Sequence, residues 1–201
     1  MKPADALNFP VLLAVLCATA VTARADGQIV EREETYAIAG KSGIELYTSI
    51  GRHGPKVGNG ASAIAHTNFK LTWQRKYEPR GSACTLVAAR PKLIVTYTLP
   101  KPSGTLPPET RKRWKIFIDG IRRHEKVHGA MIKAMVKRIE ETTIGVSAPD
   151  DPDCRKVREA IVKPLSEASQ AQRQQSRDFD RVEMGKGGNI QRLILDLVNE
   201  R

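Results

Sequence analysis

Long apolar runs are absent from this 201-residue chain once its first two dozen residues are passed; aromatic residues make up only 5%, and cysteine occurs three times. Each scarcity excludes something. Nothing after the start approaches the ~20 consecutive apolar residues that a membrane-spanning helix requires. The three cysteines, Cys17, Cys84 and Cys154, form no CxxC pair, which argues against a cysteine-held metal. No internal repeat is present, and so few aromatic residues among so many scattered charges give no pocket shape.

What is there begins with a secretory signal. Lys2 precedes an apolar stretch from Val11 to Val21, and Ala23-Arg24-Ala25 puts small residues where signal peptidase needs them, so cleavage is expected after Ala25. Residues 1–25 are set aside on that reading, and Leu16 is too bulky for Cys17 to be a lipid-modified cysteine. Residues 26–201 are expected to form one domain around one core, secreted or periplasmic and without a transmembrane anchor. In such an oxidising compartment the two remaining cysteines most simply pair, Cys84 with Cys154. A loop of that length is stabilised by ~4 kcal/mol in the chain-entropy account.

The net charge is +11, and Lys2, Asp5 and Arg24 are the only charges in the first 25 residues, so the remainder keeps +10. A basic surplus suits anionic partners in general. Here the basic residues are scattered and no nucleic-acid motif accompanies them, so a solvated basic surface is the reading and no nucleic-acid partner is expected.

The pattern along the chain is that of an α+β protein, with antiparallel strands in the N-terminal half followed by a long helix and further helices. "TYAIAG" and "GIELYTSI" read as two short strands joined by a tight turn at residues 40–43. Residues 51–60 hold four glycines and one proline and read as a loop. "AHTNFKLTWQRKY" alternates, with Phe69, Leu71 and Trp73 on one face, and "KLIVTYTL", residues 92–99, is a more continuously apolar strand. After Pro107 and Pro108, which suit a first helical turn, the period changes. Trp114, Phe117, Ile118, Ile121, Met131, Ile132, Met135 and Ile139 form one stripe of a helix running to Glu141. A second helix starts near Cys154 with Val157, Ile161 and Leu165 inward and Pro164 kinking or dividing it. "QAQRQQSRD" reads as its solvated continuation, "DRVEMGKGGN" as a break, and "IQRLILDLV" as a closing helix.

On the long helix lies His124-Glu125-Lys126-Val127-His128. Histidines four apart stand one turn apart, about 5 to 6 Å between Cβ atoms, so both rings can reach one ion. They continue the core-facing stripe, where two imidazoles without partners are costly and a shared Zn²⁺ satisfies both. Glu125 stands about 100° round the helix, beside the metal without ligating it, where it can take a proton from a water whose pKa the metal lowers. That chemistry is the reason for H-E-x-x-H and not merely H-x-x-x-H. Chance yields about 0.005 such matches in a chain of this composition, small for one protein but not for a proteome, so context decides. The context is a helix, a core face and an exported, disulfide-capable chain.

The third ligand is left open by spacing. Met131 and Ala134 stand where a metzincin needs glycine and histidine. Glu140 and Glu141 lie roughly 18 Å up the same helix. Glu159, Glu167, Asp178, Asp180 and Glu183 remain. His53 and His66 read as structural or surface residues, although His66 and Tyr77 are candidates to stabilise an oxyanion.

"YAIAG" with "IELYTSIGRHGP", "TNFKLTWQRKY", Cys84 followed by "LIVTYTLP", Trp114 ahead of "HEKVH", and Cys154 occur in an order and spacing that resembles a bacterial family of predicted secreted zinc-dependent proteases, long catalogued as a domain of unknown function. The resemblance spans nearly all of the chain after the signal. It implies a zincin-like metallopeptidase, with His124 and His128 as metal ligands, Glu125 as the catalytic residue and a Cys84–Cys154 disulfide. The family pattern continues with an aromatic-Asp-x-x-Thr-x-His-Gly segment, to which "FDRVEMGK" is similar. Phe179 and Asp180 match, whereas Glu183 replaces the threonine and Gly185 the histidine. With that histidine gone, Asp180 is the expected third ligand.

The expected function is therefore a zinc-dependent metallohydrolase, a peptidase acting on peptide or protein substrates, the cell envelope among their sources. Peptidoglycan amidase activity uses the same metal chemistry. The alternative from another class is a non-catalytic periplasmic binding protein whose basic surface docks anionic envelope components.

Overall fold

A computed structural model describes residues 27–58 and 60–199. The expected signal segment lies outside them. The architecture is mixed α+β: a sheet of order β1-β5-β4, with a short β6 also on β5, packs against helices from the C-terminal half.

Strand β1 (Gln28–Ile38) is followed by helix α1 (Gly43–His53) and a small hairpin of β2 (Lys56–Val57) and β3 (Ala61–Ser62). Strands β4 (His66–Arg80) and β5 (Ala83–Pro102) form a long hairpin. Its two-residue turn has Gly81 at φ 63°, the left-handed conformation such a turn demands. Strand β1 then lies parallel to β5, from Gln28 opposite Lys92 to Ile38 opposite Pro102. The sheet is thus mixed and not wholly antiparallel, because the chain leaves β1 through α1 and the small hairpin before β5 returns alongside it.

The second expected strand, "GIELYTSI", is helix α1. Ser42 Oγ accepts from the Glu45 amide at 3.3 Å, while Glu45 Oε2 accepts from the Ser42 amide at 3.1 Å and the Lys41 amide at 2.7 Å. This capping box satisfies the free donors of the first turn, and Leu46 and Ile50, one turn apart, bury the inner face. Local capping and a helical apolar spacing outweigh the β preference of Ile44, Tyr47 and Thr48.

Helix α2 (Pro108–Thr143) runs 36 residues, about 54 Å. It starts at the prolines and buries Trp114, Phe117, Ile121, Ile132, Met135 and Ile139, as its stripe predicts. Beyond β6 (Ser147–Ala148), the short α3 (Arg155–Ala160) is tied down twice. The Asp151 carboxylate accepts from the amides of Arg155, Lys156 and Val157, and the Cys84–Cys154 disulfide joins its start to β5. The division before α4 (Val162–Met184) falls at Ile161, and Pro164 sits in the first turn of α4, where its missing N–H costs little. Helix α5 (Asn189–Val198) closes the chain, with Ile190, Leu193 and Leu197 buried. Among the described residues no helix is long and apolar enough to cross a membrane.

The inward face of β5 carries Leu93, Val95 and Tyr97 against Ile132, Met135 and Ile139 of α2. A second cluster gathers Ile38, Leu46, Leu99, Phe117, Ile121 and Ile190 around the N-terminal half of α2. Between the two, at residues 124–128, the buried stripe of α2 turns polar.

Gly129 is what lets α2 lie so close to the sheet, since a Cβ there would stand 2.0 Å from Tyr97 Oη. Tyr97 Oη donates to Glu31 Oε2 at 2.9 Å, and Lys126 and Lys133 of α2 each pair with Glu31 at 2.6 Å. Glu31 thereby clasps β1 to α2. Hydrogen bonds from Lys126 and Lys133 lower its carboxyl from 4.5 to about 2, against burial, which acts the other way. The folded-state pKa is depressed, so the stabilisation is complete above pH 4.5 and is lost as pH falls towards 2. Because both lysines are partly solvated, the loss is about 1 kcal/mol. Denaturation midpoints at neutral and acid pH are expected to converge between the native chain and Glu31→Gln as pH drops through this window.

Candidate metal centre

His124 and His128 project from adjacent turns of α2 into the gap between the two apolar clusters, His124 with only 5% of its surface exposed. Helix α4 crosses here, and it carries Asp180. Three atoms converge: His124 Nε2 and His128 Nε2 are 3.1 Å apart, and Asp180 Oδ1 lies 3.1 Å from the first and 2.9 Å from the second. Phe179, next to Asp180, holds both rings in place, stacking on His124 at 4.7 Å and meeting His128 edge-on at 5.4 Å.

Burial works against ionisation of Asp180, but hydrogen bonds from His124 and His128, and their charges, hold its carboxyl well below the usual carboxylate range. Burial likewise opposes protonation of His128, and the hydrogen bond and charge of Asp180 outweigh it and raise the imidazole above its ordinary value. The triangle therefore calls for positive charge at its centre.

A divalent cation fits that demand. Tetrahedral zinc with nitrogen and oxygen ligands at about 2.0 to 2.1 Å has ligand atoms about 3.3 Å from one another, close to the spacing seen here, and two imidazoles with one carboxylate form a donor set zinc favours. His124 Nδ1 is buried, has no hydrogen-bond partner among the described residues, and lies 3.8 Å from Glu183 Oε2. Such an outward nitrogen facing a carboxylate is the usual surrounding of a ligand histidine. On the other ring, His128 Nδ1 lies 3.3 Å from Ser176 Oγ, which accepts from Gln172 Nε2 at 2.9 Å and donates to Met131 Sδ at 3.7 Å.

Glu125 is buried beside the triangle and outside it. Its partner is Thr67 of β4, whose hydroxyl donates to Oε2 at 2.5 Å and approaches the Glu125 carbonyl oxygen at 3.2 Å. One carboxylate oxygen, Oε2, is thus held by the hydroxyl. His124, His128, Asp180, Glu125 and Thr67 border a cavity of about 840 Å³ between β4 and helices α1, α2, α4 and α5.

The other expected candidates stand apart. Glu159 and Glu167 are exposed, and Asp178 pairs with Arg181 and Gln174. Glu183 accepts from Asn189 at 3.3 Å and faces the back of His124 rather than the triangle. Gly185, at the histidine position of the family pattern, is the C-cap of α4. Tyr77 is packed in the cluster around the disulfide, under the Arg158 guanidinium, away from the cavity. His66 borders the cavity, yet alternation along β4 directs it to the face opposite Thr67. His53 contacts Ser49 at the end of α1.

Three neighbours of the centre escape a reading of motifs. Thr67 shares the face of Leu71 and Trp73 by strand alternation, and an inward threonine ahead of two inward apolar residues is the available signal. Gln172 and Ser176 lie eight and four residues before Asp180, on one face of α4. The segment expected to be solvated therefore keeps one polar face turned inward. The expected break starts only at Gly185, so Asp180 and Glu183 ride on a rigid helix.

Residues 33–188 match the model of a family described as a bacterial protein of unknown function, DUF922. No curated protein and no solved structure matches the chain significantly.

Proposed function

We propose that this chain, which belongs to the DUF922 family, is an exported zinc-dependent hydrolase of zincin-like design that cleaves peptide bonds. The observation that carries the reading is the convergence of His124, His128 and Asp180 within 3.1 Å of one another, with the Glu125 carboxylate adjacent and turned aside. His124, His128 and Asp180 would hold the zinc. When bound there it would supply Lewis acidity, which polarises an amide carbonyl and lowers the pKa of a bound water.

The protein's own groups do the rest. Glu125 takes a proton from the attacking water on Oε1, because Oε2 is occupied by the Thr67 hydroxyl, and passes it to the leaving nitrogen. Thr67 keeps the carboxylate in one rotamer, Phe179 fixes the planes of both rings, and Ser176 sets which nitrogen of His128 faces the centre. Export is supported by the Cys84–Cys154 disulfide, which suits an oxidising compartment.

Hydrolysis of an unfolded protein substrate by the purified chain, followed by chelation and zinc return, tests the proposal. Chelator is expected to abolish cleavage and stoichiometric zinc to restore it; cleavage indifferent to chelator would refute it. Thr67→Val is expected to keep zinc and to lower kcat/KM by roughly 10- to 100-fold, with Thr67→Ser recovering most of the loss. Steady-state kinetics alongside metal content checks this.

A further inference from the structure

The cavity beside the candidate metal centre differs in character from the rest of the molecule. The chain carries a net charge of +11, yet among the described residues that line the cavity there is no lysine or arginine. Its volume of about 840 Å³ lies within the range of small-molecule and peptide sites.

Its two ends also differ. One turn before the histidines along α2 stands Ile121, and α5 packs against this part of α2, where the missing Cβ of Gly120 makes room for Leu193. Ile190 and Ile194 of α5, Tyr47 of α1 and Ile64 before β4 complete an apolar wall. Tyr47, Ile64 and Ile194 are only partly buried, so they offer surface to an occupant. Beyond His128 the lining is mixed, with Ser176 and Gln172 beside Ile132. The wall comes from four separate segments and opens directly onto the groups that surround Glu125.

We propose that this wall is a specificity pocket that seats one bulky aliphatic or aromatic side chain of an uncharged polypeptide stretch beside the bond to be cut. The inference rests on the hydrolase reading for the identity of the site. An acidic side chain on this wall would find no lysine or arginine to pair with, and a lysine would have its charge set against five apolar side chains. Along the wall a glycan's hydroxyls would meet four isoleucines and a single phenol, which favours polypeptide over envelope polysaccharide. Anionic envelope polymers find their complement on the basic exterior, not here.

The test separates binding from turnover. Zinc-loaded full chain carrying Glu125→Gln is titrated with fluorescent peptides of Gly-Ser-Ala background that differ only at one central residue: Leu, Phe, Ala, Asp or Lys. The Leu and Phe peptides are expected to bind roughly tenfold to a hundredfold more tightly than the others. Adding Ile194→Glu should erase that preference, whereas Ile194→Val should keep it; should the glutamate variant fail to fold, the peptide series alone decides. Equal affinities, tighter binding of the Asp or Lys peptide, or no binding at all overturns the inference. Hydrolysis of the same peptides by the native chain is read in parallel. Apolar preference without hydrolysis overturns the hydrolase reading and leaves the pocket, whereas hydrolysis with equal rates at Leu and Asp does the reverse.

Discussion

Glu125→Gln is expected to leave zinc bound while lowering hydrolysis between about a hundredfold and ten-thousandfold, the range that a positioned general base contributes. Glutamine is nearly isosteric, and its amide oxygen can accept the Thr67 hydroxyl just as Oε2 does at 2.5 Å in the native chain. Helix α2, buried around residue 125, therefore has no cause to shift. What changes is the other terminal atom, which becomes an amide nitrogen unable to take a proton. Metal content and thermal midpoint stay near native values while turnover disappears. A variant that loses zinc and activity together would assign Glu125 to the architecture of the centre and not to proton transfer. The measurement is kcat/KM beside zinc per chain.

The second large effect concerns Asp180. Asp180→Ala removes a carboxylate oxygen that lies within 3.1 Å of both imidazole nitrogens, and zinc affinity is expected to fall by more than the roughly 10- to 100-fold typical of losing an outer partner. Glu183→Gln supplies the contrast. That side chain faces the back of His124 at 3.8 Å, so its loss should weaken zinc only within that smaller range. A ligand that binds only the folded chain stabilises it, so the zinc-dependent rise in thermal midpoint expected of the native chain should be missing from Asp180→Ala. Competition titrations against a chelator of known affinity rank the two variants. A Glu183 variant weaker than the Asp180 variant would exchange the roles given to these carboxylates.

Much of this centre is legible in the sequence because the chemistry is local to one helix. His124, Glu125 and His128 fall within five residues, and the apolar stripe before and after them states which way they face. Asp180 is another matter. It stands 52 residues beyond His128, and only the resemblance of "FDRVEMGK" to a family segment singled it out among five acidic residues. Its approach depends on α4 crossing α2, which no local periodicity encodes. Thr67 is remoter still, reaching Glu125 across 58 residues through the placement of β4.

The fold divides in the same way. Helix α2 follows from its prolines and its 3.6-residue stripe, and β4 from strict alternation. Helix α1 does not follow from residue preferences, because Ile44, Tyr47, Thr48 and Ile50 favour strands. The Ser42-x-x-Glu45 box and the spacing of Leu46 and Ile50 carry the contrary signal. Alternation is also silent about strand direction, so the parallel pairing of β1 with β5 emerges only from the path the chain takes between them. The Cys84–Cys154 bridge, by contrast, needs only a count of cysteines and an oxidising compartment.

Zinc K-edge X-ray absorption on the purified, zinc-loaded chain tests the central claim most directly. One zinc per chain is expected, with two imidazoles and a carboxylate in its coordination shell and one imidazole lost from the spectrum of His128→Ala. Zinc well below one per chain, or a coordination shell unchanged by that substitution, would contradict the account.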